Sequence, residues 1–133
     1  MNKNQRTTYD IIVIGGGITG AGIARDCALR GLKVLLVEKF DMTNGATGRN
    51  HGLLHSGARY AVTDNESATE CIQENMILRK IARHCVEETD GLFITLPEDD
   101  LSYQKTFVTA CQNAGIRADI IAPEEAIRLE PAV

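Results

Sequence analysis

The fold is decided by one stretch of the chain, IIVIGGGITGAGIARDCALRGLKVLLVEK, which covers residues 11–39. Its first run, Ile11–Ile14, is an unbroken apolar stretch rich in β-branched residues, typical of a parallel strand buried on both faces. A helix stopped by Gly31 is expected next, followed by a second strand at Val34–Val37. This order predicts a β-α-β unit over residues 8–38, and therefore an α/β fold of the Rossmann-like type.

The turn between the first strand and the helix has the pattern GxGxxG, which is specific for dinucleotides when a strand precedes it and a helix follows. It consists of Gly15, Gly16, Gly17, Ile18, Thr19 and Gly20. Gly15 permits the tight turn, Gly17 lets the backbone approach a pyrophosphate, and Gly20 packs the helix against the strand. The N–H groups at the helix N-terminus then attract the anion. Close packing on the sheet is expected along the small residues Gly20, Ala24 and Ala28.

Glu38 ends the second strand, 18 residues after Gly20. A carboxylate at this position can accept hydrogen bonds from both ribose hydroxyls of an adenosine. It argues against NADP, because it would repel the 2′-phosphate. These residues leave FAD and NAD both open.

Length and composition indicate one globular domain that does not bind nucleic acid. The chain has 133 residues, of which 44% are hydrophobic and 24% charged. The net charge of −4 argues against a nucleic-acid surface, which needs clustered positive charge. The longest uncharged run, Ile11–Ala24, has 14 residues, fewer than the roughly 20 that cross a bilayer. The polar N-terminus, Met1–Asp10, has no pattern of a cleaved targeting signal.

The four cysteines form no CxxC pair, so no zinc ribbon, iron–sulfur site or dithiol motif is predicted, and no metal is expected. They are interpreted as reduced, partly buried packing residues: Cys27, Cys71, Cys85 and Cys111.

Residues 40–60 are expected to form a long functional loop, because glycines interrupt them repeatedly and long ordered loops in compact domains are usually functional. Within the loop, Thr47 is a candidate for holding a pyrophosphate oxygen and His55 for acid or base chemistry. Arg59 is a candidate for clamping an anion. The alternative for these side chains is that they simply hydrogen-bond the backbone of the turns.

Four further elements are predicted beyond the loop. Asp64 is expected to cap a helix to about Arg83, and a strand is expected at Gly91–Leu96. A third helix, capped by Asp99 or Asp100, ends at Ala114, and a short one runs from Pro123 to Arg128. The buried face of the first of these helices is predicted to comprise Ala68, Cys71, Ile72, Leu78, Ala82 and Cys85.

Residues 11–39, together with GATGRNHGLLHSGARY at residues 45–60, resemble the FAD-dependent glycerol-3-phosphate dehydrogenases. Within that family the chain is most similar to the large, A-type subunits of the anaerobic bacterial enzymes. The resemblance implies a FAD-binding domain of the glutathione-reductase/D-amino-acid-oxidase type. It also implies oxidation of sn-glycerol 3-phosphate to dihydroxyacetone phosphate, with electrons passed to a quinone through partner subunits.

The resemblance also assigns roles to individual residues. His55 falls beside the flavin at the C2 hydroxyl of the substrate, and Arg59 and Tyr60 fall where the family binds the substrate phosphate. Contacts to FAD are assigned to Gly15, Gly16, Gly17, Ile18, Thr19, Gly20, Glu38, Lys39, Thr47, Gly48, Gly52 and Leu53. The alternatives are an amine or amino-acid oxidase of the same superfamily, and a dinucleotide-binding module without catalysis.

Members of this family are several times longer, so the chain is expected to be an N-terminal fragment, with its domain incomplete at the C-terminus. We expect the β-α-β unit over residues 8–38, the flavin and substrate loop over 40–60, and the start of a substrate-binding portion at about 86–133. The expected location is cytoplasmic, peripheral on the inner face of the membrane through partner subunits.

Overall fold

A computed structural model describes residues 7–133 of the chain, which fall into two compact units. One unit ends at Leu53 and the other runs from Leu54 to Val133. The expectation that no targeting signal is present falls partly on residues 1–6, which lie outside the described residues.

The first unit contains the β-α-β arrangement that the sequence predicts. Strand β1 is Ile11–Ile14, helix α1 is Ile18–Leu29 and strand β2 is Val34–Val37. The two strands pair in parallel, with Ile11 opposite Val34 and Ile14 opposite Val37. A parallel pair requires a crossover, which α1 provides before the chain turns at Gly31. The α/β fold class is therefore confirmed.

The prediction that β1 is buried on both faces is wrong for the described residues. Val13 is 7% exposed, whereas Ile12 is 61% and Ile14 87% exposed. Successive residues of a strand point to opposite faces of the sheet. Helix α1 packs on the face that carries Val13, and no described element of this unit covers the face of Ile12 and Ile14.

The buried face of α1 differs from the prediction at one position. Gly20 is buried, Ala24 and Cys27 are half-buried, and Ala28 is exposed. An α-helix turns about 100° per residue. Cys27 therefore lies about 20° from Gly20 around the helix axis, whereas Ala28 lies about 80° away. Cys27 takes the packing position that was predicted for Ala28.

The second unit is helical and is built around a small core. Helix α2 is Asn65–Ile81, α3 is Tyr103–Asn113 and α4 is Pro123–Leu129. Short 3-10 turns cover Ala58–Tyr60 and Arg83–Cys85, as another does for Ala46–Arg49 in the first unit. The buried core joins the turn before α2, α2 itself and the end of α3, through Ala58, Ala61, Ala68, Cys111, Ala114 and Ile116.

The predicted cap of α2 is confirmed. The Asp64 carboxylate accepts a hydrogen bond from the Ser67 backbone N–H at 3.0 Å and another from the Ser67 hydroxyl at 2.7 Å. The Ser67 hydroxyl, and then the Ser67 N–H, hold the pKa of Asp64 below its ordinary value. The carboxylate therefore remains ionised at the positive end of the helix.

The C-terminal end of α2 differs from the prediction. The helix ends at Ile81, not at Arg83, and Cys85 lies exposed on the 3-10 turn that follows. The expectation that every cysteine is a packing residue is therefore wrong for Cys85. The other three cysteines are half-buried or buried and are free thiols, as expected.

The predicted strand Gly91–Leu96 is wrong, because the segment is irregular. A strand needs a neighbour to hydrogen-bond, and among the described residues only β1 and β2 pair. The third helix also begins later than predicted, at Tyr103, because the side chains of Asp99 and Asp100 stabilise the turn before it. Asp99 accepts from the Leu96 N–H at 2.8 Å, and Asp100 accepts from the Ser102 N–H at 2.8 Å.

In the part of the chain that the structure describes, no helix is long and apolar enough to cross a membrane. Among the same residues, no cluster of His, Cys, Asp and Glu side chains could hold a metal ion.

Candidate functional site

The glycine-rich turn of the first unit has the geometry that its sequence predicts. Gly15 has φ +109°, a conformation that other residues rarely adopt, and its N–H extends the strand pairing to the Val37 carbonyl at 2.8 Å. A Cβ atom at Gly20 would overlap the Gly15 carbonyl oxygen and lie 3.4 Å from Val13 Cγ1. Gly20 therefore lets α1 approach β1 to a distance that no larger residue allows.

Glu38 lies at the end of β2 with its carboxylate turned toward this glycine-rich turn. Oε2 accepts a hydrogen bond from the Gly16 N–H at 2.6 Å, and Oε1 accepts one from the Phe40 N–H at 2.9 Å. These bonds, that from Gly16 first, lower the pKa of Glu38 below its ordinary value. Each carboxylate oxygen has two lone pairs, so both oxygens retain capacity to accept a hydroxyl.

Thr47, in the loop that follows β2, contacts the end of the glycine-rich turn. Its hydroxyl accepts a hydrogen bond from the Ile18 N–H, the first residue of α1, at 3.1 Å. A Cβ atom at Gly17 would lie 3.0 Å from the same hydroxyl oxygen, so the glycine keeps this space open. The Thr47 hydroxyl can still donate its proton, and it lies where α1 presents its N-terminal N–H groups.

Met42 and Thr43 also belong to this site, and sequence reasoning missed both. The Thr43 N–H donates to the Gly16 carbonyl at 3.0 Å, and a Cβ atom at Gly16 would lie 2.5 Å from the Met42 sulfur. Thr43 has φ +62°, which is unusual and strained for a β-branched residue. A Cβ atom at Gly48 would lie 2.5 Å from the Thr43 carbonyl oxygen, so the glycine permits the close return of the chain.

The remaining candidates for cofactor binding make local contacts. The Lys39 ammonium lies 4.9 Å from the centre of the Phe40 ring, and the Gly52 N–H donates to Asn50 Oδ1 at 2.6 Å. The Leu53 N–H donates to His51 Nδ1 at 3.0 Å. The side chains of Ile18, Thr19 and Leu53 are exposed. Glu38 and Thr47 thus contact the glycine-rich turn, to which Ile18 and Thr19 belong, and Gly48 packs against Thr43, which bonds the same turn. The contacts described for Lys39, Gly52 and Leu53 are instead with residues close to them in the chain.

The candidates for substrate chemistry lie in the second unit, on the segment that leads into α2. His55, Arg59 and Tyr60 are exposed, and Arg59 and Tyr60 belong to the Ala58–Tyr60 turn. Ala58 at the start of that turn is buried in the core. The segment therefore presents an imidazole, a guanidinium and a phenol from a backbone that is fixed by packing.

Gly57 and Asn75 hold this segment against α2, and sequence reasoning missed both. Gly57 has φ +87°, and a Cβ atom there would lie 2.7 Å from both the Ala68 carbonyl oxygen and Cys71 Cβ. The Asn75 amide donates to the Leu54 carbonyl at 3.3 Å and to the His55 carbonyl at 3.1 Å. No local signal in the sequence marks Gly57 and Asn75 as contacts of this kind.

The first unit fits a dinucleotide with an adenosine and a pyrophosphate: an ionised carboxylate lies at the end of β2, and a hydroxyl and open glycines surround the N-terminus of α1. The family comparison agrees with this geometry. The model of the DAO family, described as FAD dependent oxidoreductase, matches residues 10–133. The chain belongs to this family, and the cofactor of the family is FAD.

Comparison with individual proteins gives relatives that include A subunits of anaerobic glycerol-3-phosphate dehydrogenases. The chain is 69% identical to the A subunit of Escherichia coli K12 over 133 residues, which cover 100% of the chain and 24% of the relative. For the protein of Haemophilus influenzae the identity is 70% over 124 residues, covering 93% of the chain and 22% of the relative. For the A1 form of Haloferax volcanii it is 58% over 127 residues, covering 96% and 22%.

The chain therefore spans about a quarter of the length of these curated relatives. No solved structure matches it significantly.

Proposed function

We propose that this chain provides the FAD-binding part of an enzyme that oxidises sn-glycerol 3-phosphate to dihydroxyacetone phosphate. The observation that carries the proposal is the 69% identity, along the whole chain, to a protein named as part of an anaerobic glycerol-3-phosphate dehydrogenase. The family assignment supports the oxidoreductase class and FAD as cofactor.

In this proposal the first unit holds the adenosine and pyrophosphate of FAD. Glu38 accepts the ribose hydroxyls with the lone pairs that its bonds to Gly16 and Phe40 leave available. Thr47 would donate its hydroxyl proton to the pyrophosphate at the N-terminus of α1, where Gly17 would leave room for the anion. FAD, when bound, accepts the hydride that leaves C2 of the substrate.

The second unit supplies the groups that act on the substrate. A nitrogen of the His55 imidazole takes the proton from the C2 hydroxyl while the hydride leaves the same carbon, which produces the ketone. The Arg59 guanidinium binds two phosphate oxygens in parallel, and the Tyr60 hydroxyl donates to a third. The buried Ala58 limits the motion of the turn that carries Arg59 and Tyr60.

The proposal extends to the assembly in which the chain works. The relatives are named as one lettered subunit of their enzyme, which supports the presence of further subunits, through which electrons would pass to a quinone. The enzyme would then lie on the cytoplasmic side, peripheral to the membrane and held there by its partners. Residues 86–133 would begin the substrate-binding portion.

A chimeric enzyme tests the proposal. In this chimera, residues 1–133 replace the aligned segment of the Escherichia coli relative, and the unmodified relative is the control. We expect the purified chimera to bind FAD and to reduce an artificial dye with sn-glycerol 3-phosphate. Glycerol should not support the reaction, because it lacks the phosphate that Arg59 binds, and neither should D-alanine.

Dye reduction with D-alanine and none with sn-glycerol 3-phosphate would instead favour an amino-acid oxidase. A folded chimera that binds NAD and no FAD would favour a dinucleotide-binding module without this catalysis. Either result would refute the proposed function.

A further inference from the structure

Asn75 lies in the middle of α2 and is 8% exposed. Among residues 7–133 it is the only buried residue that has a polar side chain. Asparagine is a poor helix former, and an amide inside a core is unfavourable unless its hydrogen bonds are made. An apolar residue at this position would suit both the helix and the core better. The amide is therefore best explained by the groups that it contacts.

The Asn75 amide contacts the backbone of the segment that carries His55. Its nitrogen lies 3.3 Å from the Leu54 carbonyl oxygen and 3.1 Å from the His55 carbonyl oxygen. An amide nitrogen has two protons, so both carbonyls are bonded at once. This pair of bonds fixes the peptide group of His55 against α2, and thereby the direction from which its side chain leaves the backbone.

A separate contact holds the Arg59 end of the segment. Gly57 packs against the backbone of Ala68, and Ala58 is part of the buried core. The His55 end and the Arg59 end are thus attached to α2 by different residues, by hydrogen bonds at one end and by packing at the other. Loss of the Asn75 amide should therefore disturb His55 more than Arg59.

We propose that Asn75 is a positioning residue that holds His55 at the substrate hydroxyl, a role that rests on the function proposed above. A displacement of about 1 Å in a reacting group can lower the rate about 100-fold. Phosphate binding, which depends on the Arg59 end, should be nearly unchanged. Loss of the Asn75 amide should therefore lower kcat without raising KM.

The test uses two variants of the chimeric enzyme. Asn75→Leu removes both hydrogen-bond donors, and Asn75→Asp keeps the side-chain shape but places a carboxylate against the two carbonyl oxygens. The matched control is Gln73→Glu, which makes the same change from amide to acid at an exposed position of α2. The measurements are FAD content, kcat and KM for sn-glycerol 3-phosphate, and the isotope effect with substrate deuterated at C2.

We expect both Asn75 variants to retain FAD and to lose kcat by about 10- to 100-fold, with KM within about twofold of the parent. The isotope effect on kcat should increase, because the chemical step becomes slower than product release. Gln73→Glu should match the parent in all these measurements.

A kcat within about twofold of the parent in both Asn75 variants, with FAD retained, would overturn the inference and leave the proposed function intact. So would an equal rise of KM and fall of kcat, or a failure of both variants to fold, since each would assign Asn75 a general structural role. A parent chimera that binds FAD but does not oxidise sn-glycerol 3-phosphate would refute the proposed function, and the inference with it.

Discussion

Glu38 shows how one carboxylate connects a strand end to a glycine-rich turn. Its oxygens accept from the Gly16 and Phe40 N–H groups, so its charge is already oriented beside the place proposed for the ribose. We expect Glu38→Ala in the chimeric enzyme to weaken FAD binding by about 10- to 100-fold, because charge-assisted hydrogen bonds to the ribose are lost. Equilibrium dialysis with FAD measures this directly.

The control for this variant is Glu70→Ala, which removes an exposed carboxylate of α2. FAD retained by Glu38→Ala as tightly as by Glu70→Ala would remove Glu38 from the cofactor site.

His55 is the proposed base, and the chain offers two other histidines for comparison, His51 and His84. We expect His55→Gln to lower kcat by about 10²- to 10⁴-fold while the protein keeps its flavin, because glutamine cannot take up the hydroxyl proton. Steady-state dye reduction and the visible flavin spectrum give the two quantities.

His84→Gln is the matched control and should leave kcat unchanged, since His84 is exposed on the 3-10 turn after α2. If His51→Gln lowered kcat as much as His55→Gln with flavin retained in both, the assignment of the base to His55 would lose its support.

Arg59 is proposed to bind the substrate phosphate through two parallel hydrogen bonds. Arg59→Lys keeps the positive charge but loses this paired geometry, so we expect KM for sn-glycerol 3-phosphate to rise more than kcat falls. Arg83→Lys, at another exposed arginine, is the control. An effect on kcat alone would give Arg59 a different role.

Local patterns in the sequence predict most of the helices and strands. Apolar runs, glycines and capping residues that lie close together in the chain predict five features: strands β1 and β2, helix α1, the Asp64 cap and the helix that begins at Pro123. The prediction of a strand at Gly91–Leu96 is wrong, because an apolar segment becomes a strand only where a neighbouring strand can form hydrogen bonds with it.

The candidate site was predictable where it depends on short motifs and not where it depends on tertiary contacts. The glycine-rich turn and Glu38 are recognisable from spacing alone. Thr43, Gly57 and Asn75 have their roles through contacts with residues that are distant in the chain or through an unusual φ. A single sequence carries no signal for such contacts.

The Asp64 cap gives a prediction for α2 as a whole. Asp64→Ala should make the Ser67 amide exchange its hydrogen about 5- to 30-fold faster near neutral pH, because that N–H loses its acceptor. Asp64→Asn, which keeps an acceptor oxygen, should change the exchange much less. Peptide-level hydrogen exchange of the chimeric enzyme checks both variants.

The pH dependence of this cap has a definite sign. The pKa of Asp64 lies below its ordinary value of 3.8. The stabilisation that the ionised cap gives to the folded protein is therefore fully present above pH 3.8 and is lost as the pH falls through the lowered pKa. The difference in thermal midpoint between the parent and Asp64→Ala should therefore disappear in acid. A difference that grows on acidification would contradict the cap.

The exposed face of β1 affects how the isolated chain is expected to behave. Ile12 and Ile14 are mostly exposed, and Val37 of β2 is 40% exposed. Apolar surface of this kind beside an open strand edge promotes association. We expect the purified 133-residue chain to associate, to hold FAD weakly and to be inactive with sn-glycerol 3-phosphate.

Light scattering, bound-flavin absorbance and dye reduction test these expectations for the isolated chain. A monomer with stoichiometric, tightly bound FAD and substrate-dependent reduction would show that these 133 residues suffice for the enzyme.

We propose that His55 and the FAD site of the first unit together serve the oxidation of sn-glycerol 3-phosphate. The most direct measurement is the visible absorbance of flavin in the chimeric enzyme, mixed anaerobically with that substrate and with no acceptor present. We predict that sn-glycerol 3-phosphate bleaches the bound flavin rapidly, that glycerol does not, and that His55→Gln slows the bleaching by about 10²- to 10⁴-fold. Flavin that is bound but stays fully oxidised with sn-glycerol 3-phosphate would contradict the claim.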